Sequence, residues 1–481
     1  MVSRDLILSL LMFMSFTGCE GQFAGNRSFD IDIVNGPMQM KLCTVGAVEL
    51  LCAVNTNYQY KAQTGSIQFY SLTNPAQPVR LSTPATIEVS SNVSDFEVVQ
   101  VDGNDVLFVL DRNANELLVY DLTGGSFVAR QENGAAVKVD LPQNPQSIQA
   151  FQRSSDSKTF LAITVMRGGA SGGSLVFIDP LDLSFYEPDE SSPGSDVKLV
   201  QVGVPGARFF MSPRKTYDDP ANPGTQLVDR LNVSVSNQVG VGLSKAVFLG
   251  GSHDLFVLPN FLASAVHSFR FSSFQNMSNI AWNLRQWREG AKLSDGSILA
   301  GSREVGIRGV DIDNLSNVYV SNRTDNQIYK IPASVFEAEE DDDAGTIRNT
   351  TGFKENVRDY VLETYPGSSE TLEFDSNLAD SVFPRLGDLL ADKTGAGLAA
   401  QALWVIGIHD SKIYRISVPA VPAEGNPITI SHSVVLGEGP RKLLGYPAAG
   451  PYQFVYVADL KNDVISVLNA SDLTLAGEIK N

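Results

Sequence analysis

One pattern constrains this chain more than any other: a short apolar strand, a polar turn and a second apolar strand, recurring seven times. The paired segments are 50–54 with 66–70, 106–110 with 117–120, 161–163 with 175–178, and 255–258 with 266–269. The last three are 318–320 with 328–331, 403–406 with 413–416, and 455–458 with 464–468. With Cys52, Phe108, Ala162, Phe256, Tyr319, Trp404 and Tyr456 taken as equivalent, the steps are 56, 54, 94, 63, 85 and 52 residues. The short steps approach the ~40–50 residues of a propeller blade, and the two long ones require insertions.

The chemistry of the segments selects a closed ring. They are rich in Val, Ile, Leu, Phe and Tyr on successive positions, as in a sheet covered on both faces. A propeller blade has a neighbouring blade on each face, whereas a sandwich leaves one face wet and shows cleaner alternation. No 3.6-residue period runs through the segments, so a helical solenoid is excluded. The 40 Gly and 23 Pro suit many tight turns, and the 43% hydrophobic content suffices for a core. The turns 111–115, 322–326 and 459–463 supply Asn and Asp, which tolerate left-handed backbone and bond to it locally.

Two stretches carry a family likeness. Val455-Tyr456-Val457-Ala458-Asp459 followed by Val464-Ile465-Ser466-Val467-Leu468-Asn469 resembles the YVTN-type propeller repeat. Gly309-Val310-Asp311-Ile312-Asp313, Asn317-Val318-Tyr319-Val320-Ser321-Asn322 and Asn326-Gln327-Ile328-Tyr329-Lys330 are similar to the related NHL-type repeat. The resemblance implies a fold and not a chemistry. The expected architecture is an all-β, seven-bladed β-propeller of four-stranded antiparallel sheets over residues 29–481. Six or eight blades stay open, because the 94-residue step has room for another. Insertions are expected at about 186–236 and 337–400, with an outer strand at 197–202. The spacing of Ala379, Val382, Phe383, Leu386, Leu389 and Leu390 predicts a short amphipathic helix.

Residues 6–16 are an apolar run too short to cross a hydrocarbon layer about 30 Å thick, and of the length of an export signal. It ends in Phe16-Thr17-Gly18-Cys19, which resembles the lipobox of bacterial lipoproteins. That resemblance implies removal of a signal peptide, residues 1–18, a diacylglycerol thioether on Cys19 and acylation of its new amino group. The alternative is an ordinary secretory signal in which Cys19 is incidental. Residues 19–28 would be a tether, and no later stretch reaches the roughly 18 apolar residues of a spanning helix. The expected address is the bacterial cell envelope, with the membrane as a partner through the lipid. Glu20 is not the Asp associated with inner-membrane retention, which favours the outer membrane.

Cys43 and Cys52 lie on two strands around a turn containing Gly46. In an oxidising envelope they are candidates for a disulfide, the alternative being two buried thiols. The net charge of -18 repels phosphate backbones, so nucleic acid is not an expected partner. No cofactor is expected from the motifs present. Calcium is the one metal with a hint, from the acidic run 337–343, which lacks the spacing of a calcium loop and reads first as a solvated loop. His253, His267, His409 and His432 never stand three or four apart, so a helical metal pair is absent, and no Gly-x-Ser-x-Gly elbow occurs. Trp282, Arg285, Trp287 and Arg288 combine residue types favoured at binding hot spots, although packing onto the ring is the plainer role for the two Trp.

Two functions from different classes follow. One is a non-enzymatic platform whose loops bind an envelope protein or a glycan, with no catalytic residues. The other is a lactonase-type propeller hydrolase whose divalent metal would need groups such as Asp111, Asn322, Asp325 and Asp459. Convergence of three such oxygens near the axis separates the two.

Overall fold

The computed structural model describes residues 33–56, 64–142, 144–153, 157–165, 174–188, 196–199, 216–218, 226–228, 245–250, 255–260, 265–270, 280–283, 307–323, 326–337, 360–374, 385–394 and 398–480. Each of the seven hairpins read from the sequence forms the second and third strands of its own antiparallel sheet. The sheets are called blades 1 to 7 in chain order. Their inner strands are Pro37–Val45, Val93–Val101, Pro145–Gln152, Val247–Leu249, Ile307–Ile312, Leu386–Ala391 and Pro440–Tyr446. Six blades have four or five strands, and blade 5 has three among the described residues. Val361 bridges Tyr329 at the outer edge of blade 5, and Leu362 N donates to Ile328 O at 2.8 Å. The chain beyond the five-residue helix Ala333–Glu337 therefore returns to cover that edge.

The core is divided among the junctions between blades. Separate apolar clusters join blades 1 and 2, 2 and 3, 4 and 5, 5 and 6, 6 and 7, and 7 and 1. Blades 3 and 4 meet through Phe151, whose ring lies 4.8 Å from those of Phe248 and Phe256. The last blade thus packs on the first, and the ring closes. This explains the continuous apolar runs: every residue of Asn317–Asn322 and of Ala402–Gly407 is buried, with a neighbour sheet on either side. At 0.8 kcal/mol or so per buried methylene, these second strands contribute to every junction.

The hairpin around Gly46 holds the disulfide Cys43–Cys52, with Cα atoms 6.2 Å apart. The ladder pairs Cys43 with Leu50 and Lys41 with Cys52, so the cysteines are diagonal neighbours and not directly opposed. The outer strand expected near residue 197 is Asp196–Leu199 of blade 3. Of the residues expected in a short helix, Leu386, Leu389 and Leu390 lie instead on the inner strand of blade 6, and Ala379, Val382 and Phe383 lie outside the described residues. Leu386 pairs with Gly407 and Leu389 with Val405, with a bulge between. Extra residues in the bulge keep Leu386 and Leu389 both buried, which imitates helical spacing in a strand. This strand falls inside the stretch 337–400 expected as an insertion.

Candidate functional site

The chain direction within a blade fixes which residues share a face of the ring. The start of an inner strand lies beside the end of the second strand and the start of the third, as Leu386, Gly407 and Lys412 do. This upper face therefore gathers inner-strand starts and the turns of the seven hairpins. Inner strands of blades 1, 2, 3, 5, 6 and 7 are bulged close to this end. A bulge leaves one residue out of the ladder and re-aims its side chain. The residues so displaced are Met38, Ser94, Gln146, Arg308, Gly387 with Asp388, and Arg441.

Below this rim, carboxylates on one inner strand stitch to the next. Asp95 Oδ2 accepts from Ile148 N, Asp311 Oδ2 from Ala391 N and Asp388 Oδ2 from Leu443 N, each at 2.9 Å. Lysines complete these sites. Lys41 Nζ lies 2.6 Å from Glu97 Oε2 and 3.1 Å from Asp95 Oδ1, and donates to Ile148 O at 2.8 Å. Lys393 is 3.3 Å from Asp311, and Lys442 is 3.0 Å from Asp388. Burial works against the Lys41 ammonium, but Asp95 and Glu97 outweigh it and hold the group above the usual lysine value. Burial likewise acts against the Asp311 carboxylate, and Lys393 and Lys245 outweigh it, so Asp311 is held below its ordinary range. Lys245 is the exception: its Nζ donates to Val310 O at 3.3 Å, and burial and nearby Lys442 lower its pKa despite Asp311 and Asp388.

The rim itself is basic. Arg112 follows the second strand of blade 2, and Arg323 that of blade 5. Arg308 and Arg441 occupy bulges, Arg385 precedes the inner strand of blade 6, and His409 sits in that blade's hairpin turn. Two contacts bring Arg323 and Arg385 together. Ser321 Oγ donates to Gly387 O at 2.6 Å, two residues below each arginine, and Ile408 N donates to Arg385 O at 3.1 Å. Gly309 permits this approach, because a Cβ there would lie 2.5 Å from Leu389 N. Arg112 is fixed by Asn144 Oδ1 at 3.2 Å, and the Gln146 amide oxygen, facing the guanidinium, accepts from its Nε at 3.1 Å.

Crowding of like charge registers in these groups. Burial, then Arg441 and Arg323, push Arg308 down to about 10. Arg323 is lowered by burial, Arg385 and Arg441, and Arg112 by burial and Arg441. Burial, Arg385 and Arg323 lower His409 against the pull of Asp410, which favours its neutral form. Among the described residues, no carboxylate pairs with Arg323, Arg385 or Arg441, and the buried Arg323 Nε has no hydrogen-bond acceptor.

The described acids of this face are committed to backbone amides and to neighbouring side chains. Asp111 Oδ1 accepts from Asn113 N at 2.9 Å and Ala114 N at 3.1 Å. Asp459 Oδ1 accepts from Lys461 N and Asn462 N, both at 3.1 Å, and its Oδ2 from Asn462 Nδ2 at 2.8 Å. Asp463 Oδ1 takes Gly36 N at 2.7 Å, and Asp410 takes the Tyr414 hydroxyl. Asn322 lies at the ladder end opposite Ile307, and Asp325 is outside the described residues. Of the oxygens named for a lactonase metal, those of Asp111 and Asp459 are thus turn acceptors, and among the described residues no three His, Cys, Asp or Glu are arranged to hold a metal.

Cys19, Arg285, Trp287, Arg288, His253 and all of the acidic run but Glu337 lie outside the described residues. Trp282 is on the fourth strand of blade 4, Ile280–Asn283, beside Val266 in the ladder. His267 is on the third strand of that blade, and His432 is opposite Arg415 on the fourth strand of blade 6. The basic rim was not foreseen. Its one signal was the Arg beside an Asp or Asn at the end of a second strand, in Asp111-Arg112 and Asn322-Arg323.

No family model and no curated protein matches this chain. Among solved structures, the chain is similar to virginiamycin B lyase from Staphylococcus aureus at 13% identity and a TM-score of 0.40, over 89% of this chain and 93% of that one. It is similar to the periplasmic gluconolactonase of Pseudomonas aeruginosa at 14% identity and a TM-score of 0.43, over 92% and 95%. A putative 6-phosphogluconolactonase from Bacteroides uniformis aligns at 12% identity and a TM-score of 0.47, over 92% and 95%.

Proposed function

We propose that this chain is an envelope lipoprotein, moored through Cys19, whose propeller is a rigid platform that binds a protein or glycan on its upper face. One observation carries the reading: the described carboxylates Asp111, Asp459 and Asp463 of that face are spent on backbone amides, while Arg308 and Arg441 occupy bulges of inner strands. Groups held in this way suit recognition, because little ordering remains to be done on binding. Mooring rests on the lipobox-like segment, and two acyl signals would give stable anchorage where one chain binds only marginally.

The full chain and Cys19→Ala are to be expressed in a bacterial host and fractionated. The expected result is membrane recovery with acyl mass for the former and release of the latter. Crosslinking of the intact chain to envelope components, repeated with Arg441→Glu, reads the binding face. Equal crosslinking by both chains would remove that face from the account.

A hydrolase acting on an anionic lactone is the second reading, favoured by His409, whose imidazole is inclined to neutrality beside Arg385 and Arg323. Such a base could take a proton from water while a guanidinium faces the developing oxyanion. Lactone opening that is unchanged in His409→Gln would discard it.

A further inference from the structure

Among the lysines that the inner strands gather near the axis, one is left without a carboxylate. Lys41, Lys393 and Lys442 each have a carboxylate oxygen within 3.3 Å. Lys245, two residues ahead of the inner strand of blade 4, has among the described residues a single hydrogen bond, from its Nζ to Val310 O of blade 5 at 3.3 Å. The carboxylates near it are spent elsewhere. Asp311 accepts from Ala391 N and from Lys393, and Asp388 accepts from Leu443 N and is bridged by Lys442. We propose that Lys245 is a nucleophilic amine, which condenses with the carbonyl group of a small oxo acid to form an imine beside the inner strands. Such a site makes no use of the rim guanidiniums and is independent of the platform reading.

Three features support it. Lys245 is half-buried, so it is partly withdrawn from water and still open to a small molecule. Its one acceptor is a carbonyl at the long end of hydrogen-bond distance, which holds the amine weakly. Its charged neighbours among the described residues come from the inner strands of blades 5, 6 and 7 and the residues that follow them. Burial, then Lys442, lower its pKa, Lys393 acts in the same sense, and Asp311 and Asp388 oppose them without prevailing. The unprotonated form is therefore more accessible than in an ordinary lysine, and only that form carries the lone pair that attacks a carbonyl.

The condensation needs no oxidant or reductant. The Nζ lone pair adds to the carbonyl carbon, the carbonyl oxygen takes up a proton and Nζ gives one up, leaving a carbinolamine. The C–O bond then breaks, the oxygen departs as water after taking a second proton, and the C=N bond forms from the Nζ lone pair. One amine and one carbonyl thus give one imine and one water. Charge selects an acid among carbonyl compounds. Lys245, Lys393 and Lys442 as cations face two carboxylates, those of Asp311 and Asp388. A protonated imine on Lys245 restores the third positive charge, and a carboxylate on the bound carbonyl compound balances it.

Reductive trapping of the full chain with glyoxylate and cyanoborohydride, read by peptide mass spectrometry, tests the site. At pH 7 Lys245 is expected to carry about fivefold or more of the carboxymethyl label found on Lys480, whose side chain is 64% exposed. Its labelling should reach half its plateau below pH 10.5, the ordinary lysine value. Acetaldehyde, which lacks the carboxylate, should label Lys245 about threefold less or weaker still. Lys442→Gln removes a repelling ammonium and frees Asp388 to hold the Lys245 proton, so labelling at pH 7 should fall and its profile should move to higher pH. Thermal unfolding checks that this variant is folded, and the wild-type measurements need no variant. Labelling of Lys245 no greater than that of Lys480 overturns the proposal. Equal labelling by the two aldehydes, or a profile unmoved in folded Lys442→Gln, does the same.

Discussion

Two sets of cations surround the axis of the ring, and they are treated oppositely. Lys41, Lys393 and Lys442 line the inner strands, each with a carboxylate within 3.3 Å that also accepts a backbone or side-chain donor nearby. Arg323, Arg385 and Arg441 stand at the upper edge with no such partner among the described residues. A buried charge without a partner is expensive, so Lys41, Lys393 and Lys442 are matched where they meet the core. The arginines reach solvent at the rim, where the cost is smaller and a ligand can meet it. The paired set holds the blades in register, and the unpaired set is available for binding.

The paired side should break hardest. Asp95 accepts from Ile148 N and Gln39 Nε2 and lies 3.1 Å from Lys41, with its side chain only 2% exposed. Asp95→Ala leaves an amide, a carboxamide and an ammonium under-satisfied at the junction of blades 1, 2 and 3. A loss of about 3–5 kcal/mol is expected, read from the midpoint of urea unfolding. A loss below about 1 kcal/mol would show that the stitch is incidental and that the two sets do not differ in kind.

The same contrast explains what could be read from the sequence. The second and third strands were legible because they are buried on both faces, which gives such runs as Val106-Leu107-Phe108-Val109-Leu110. The inner strands were not, since one edge faces the axis and polar residues such as Lys41, Asp95 and Asp311 break the apolar pattern. At Leu386 and Leu389 a bulge even produced a helical period in a strand. The rim was hidden for another reason. Arg112, Arg308, Arg323, Arg385 and Arg441 come from four blades spread over most of the chain, and only ring closure assembles them. Local turn chemistry marks Asp111 and Asn322, and not the arginine that follows each.

Acid should sharpen the comparison from the carboxylate side. Asp311 has a folded pKa below its ordinary value of 3.8, set by burial and by the opposing charges of Lys393 and Lys245. Its ionised form is the one the fold favours. The stability it contributes is therefore complete above the unfolded value and is lost as pH falls through the folded one. Asp311→Asn is expected to cost about 1–3 kcal/mol near pH 7, with the gap narrowing below about pH 4. Unfolding midpoints measured from pH 3 to 7 give the profile, and a gap that widens on acidification would contradict the pairing.

The smallest effect is expected one residue away from a large one. Lys442 and Arg441 are adjacent on the inner strand of blade 7, yet Lys442 pairs with Asp388 at 3.0 Å with its side chain 15% exposed, and Arg441 is the bulged, exposed residue beside it. Lys442→Gln should lose roughly 1–3 kcal/mol, since Asp388 keeps its bond from Leu443 N but loses its counter-charge. Arg441→Gln should change stability by no more than about 0.5 kcal/mol. Its sign should be neutral or favourable, because Arg112, Arg308 and Arg323 each lose a repelling neighbour. Thermal unfolding of the two variants side by side compares neighbours that share one strand and one blade. If Arg441→Gln cost as much as Lys442→Gln, the rim would be part of the scaffold, and its charge would need a structural explanation.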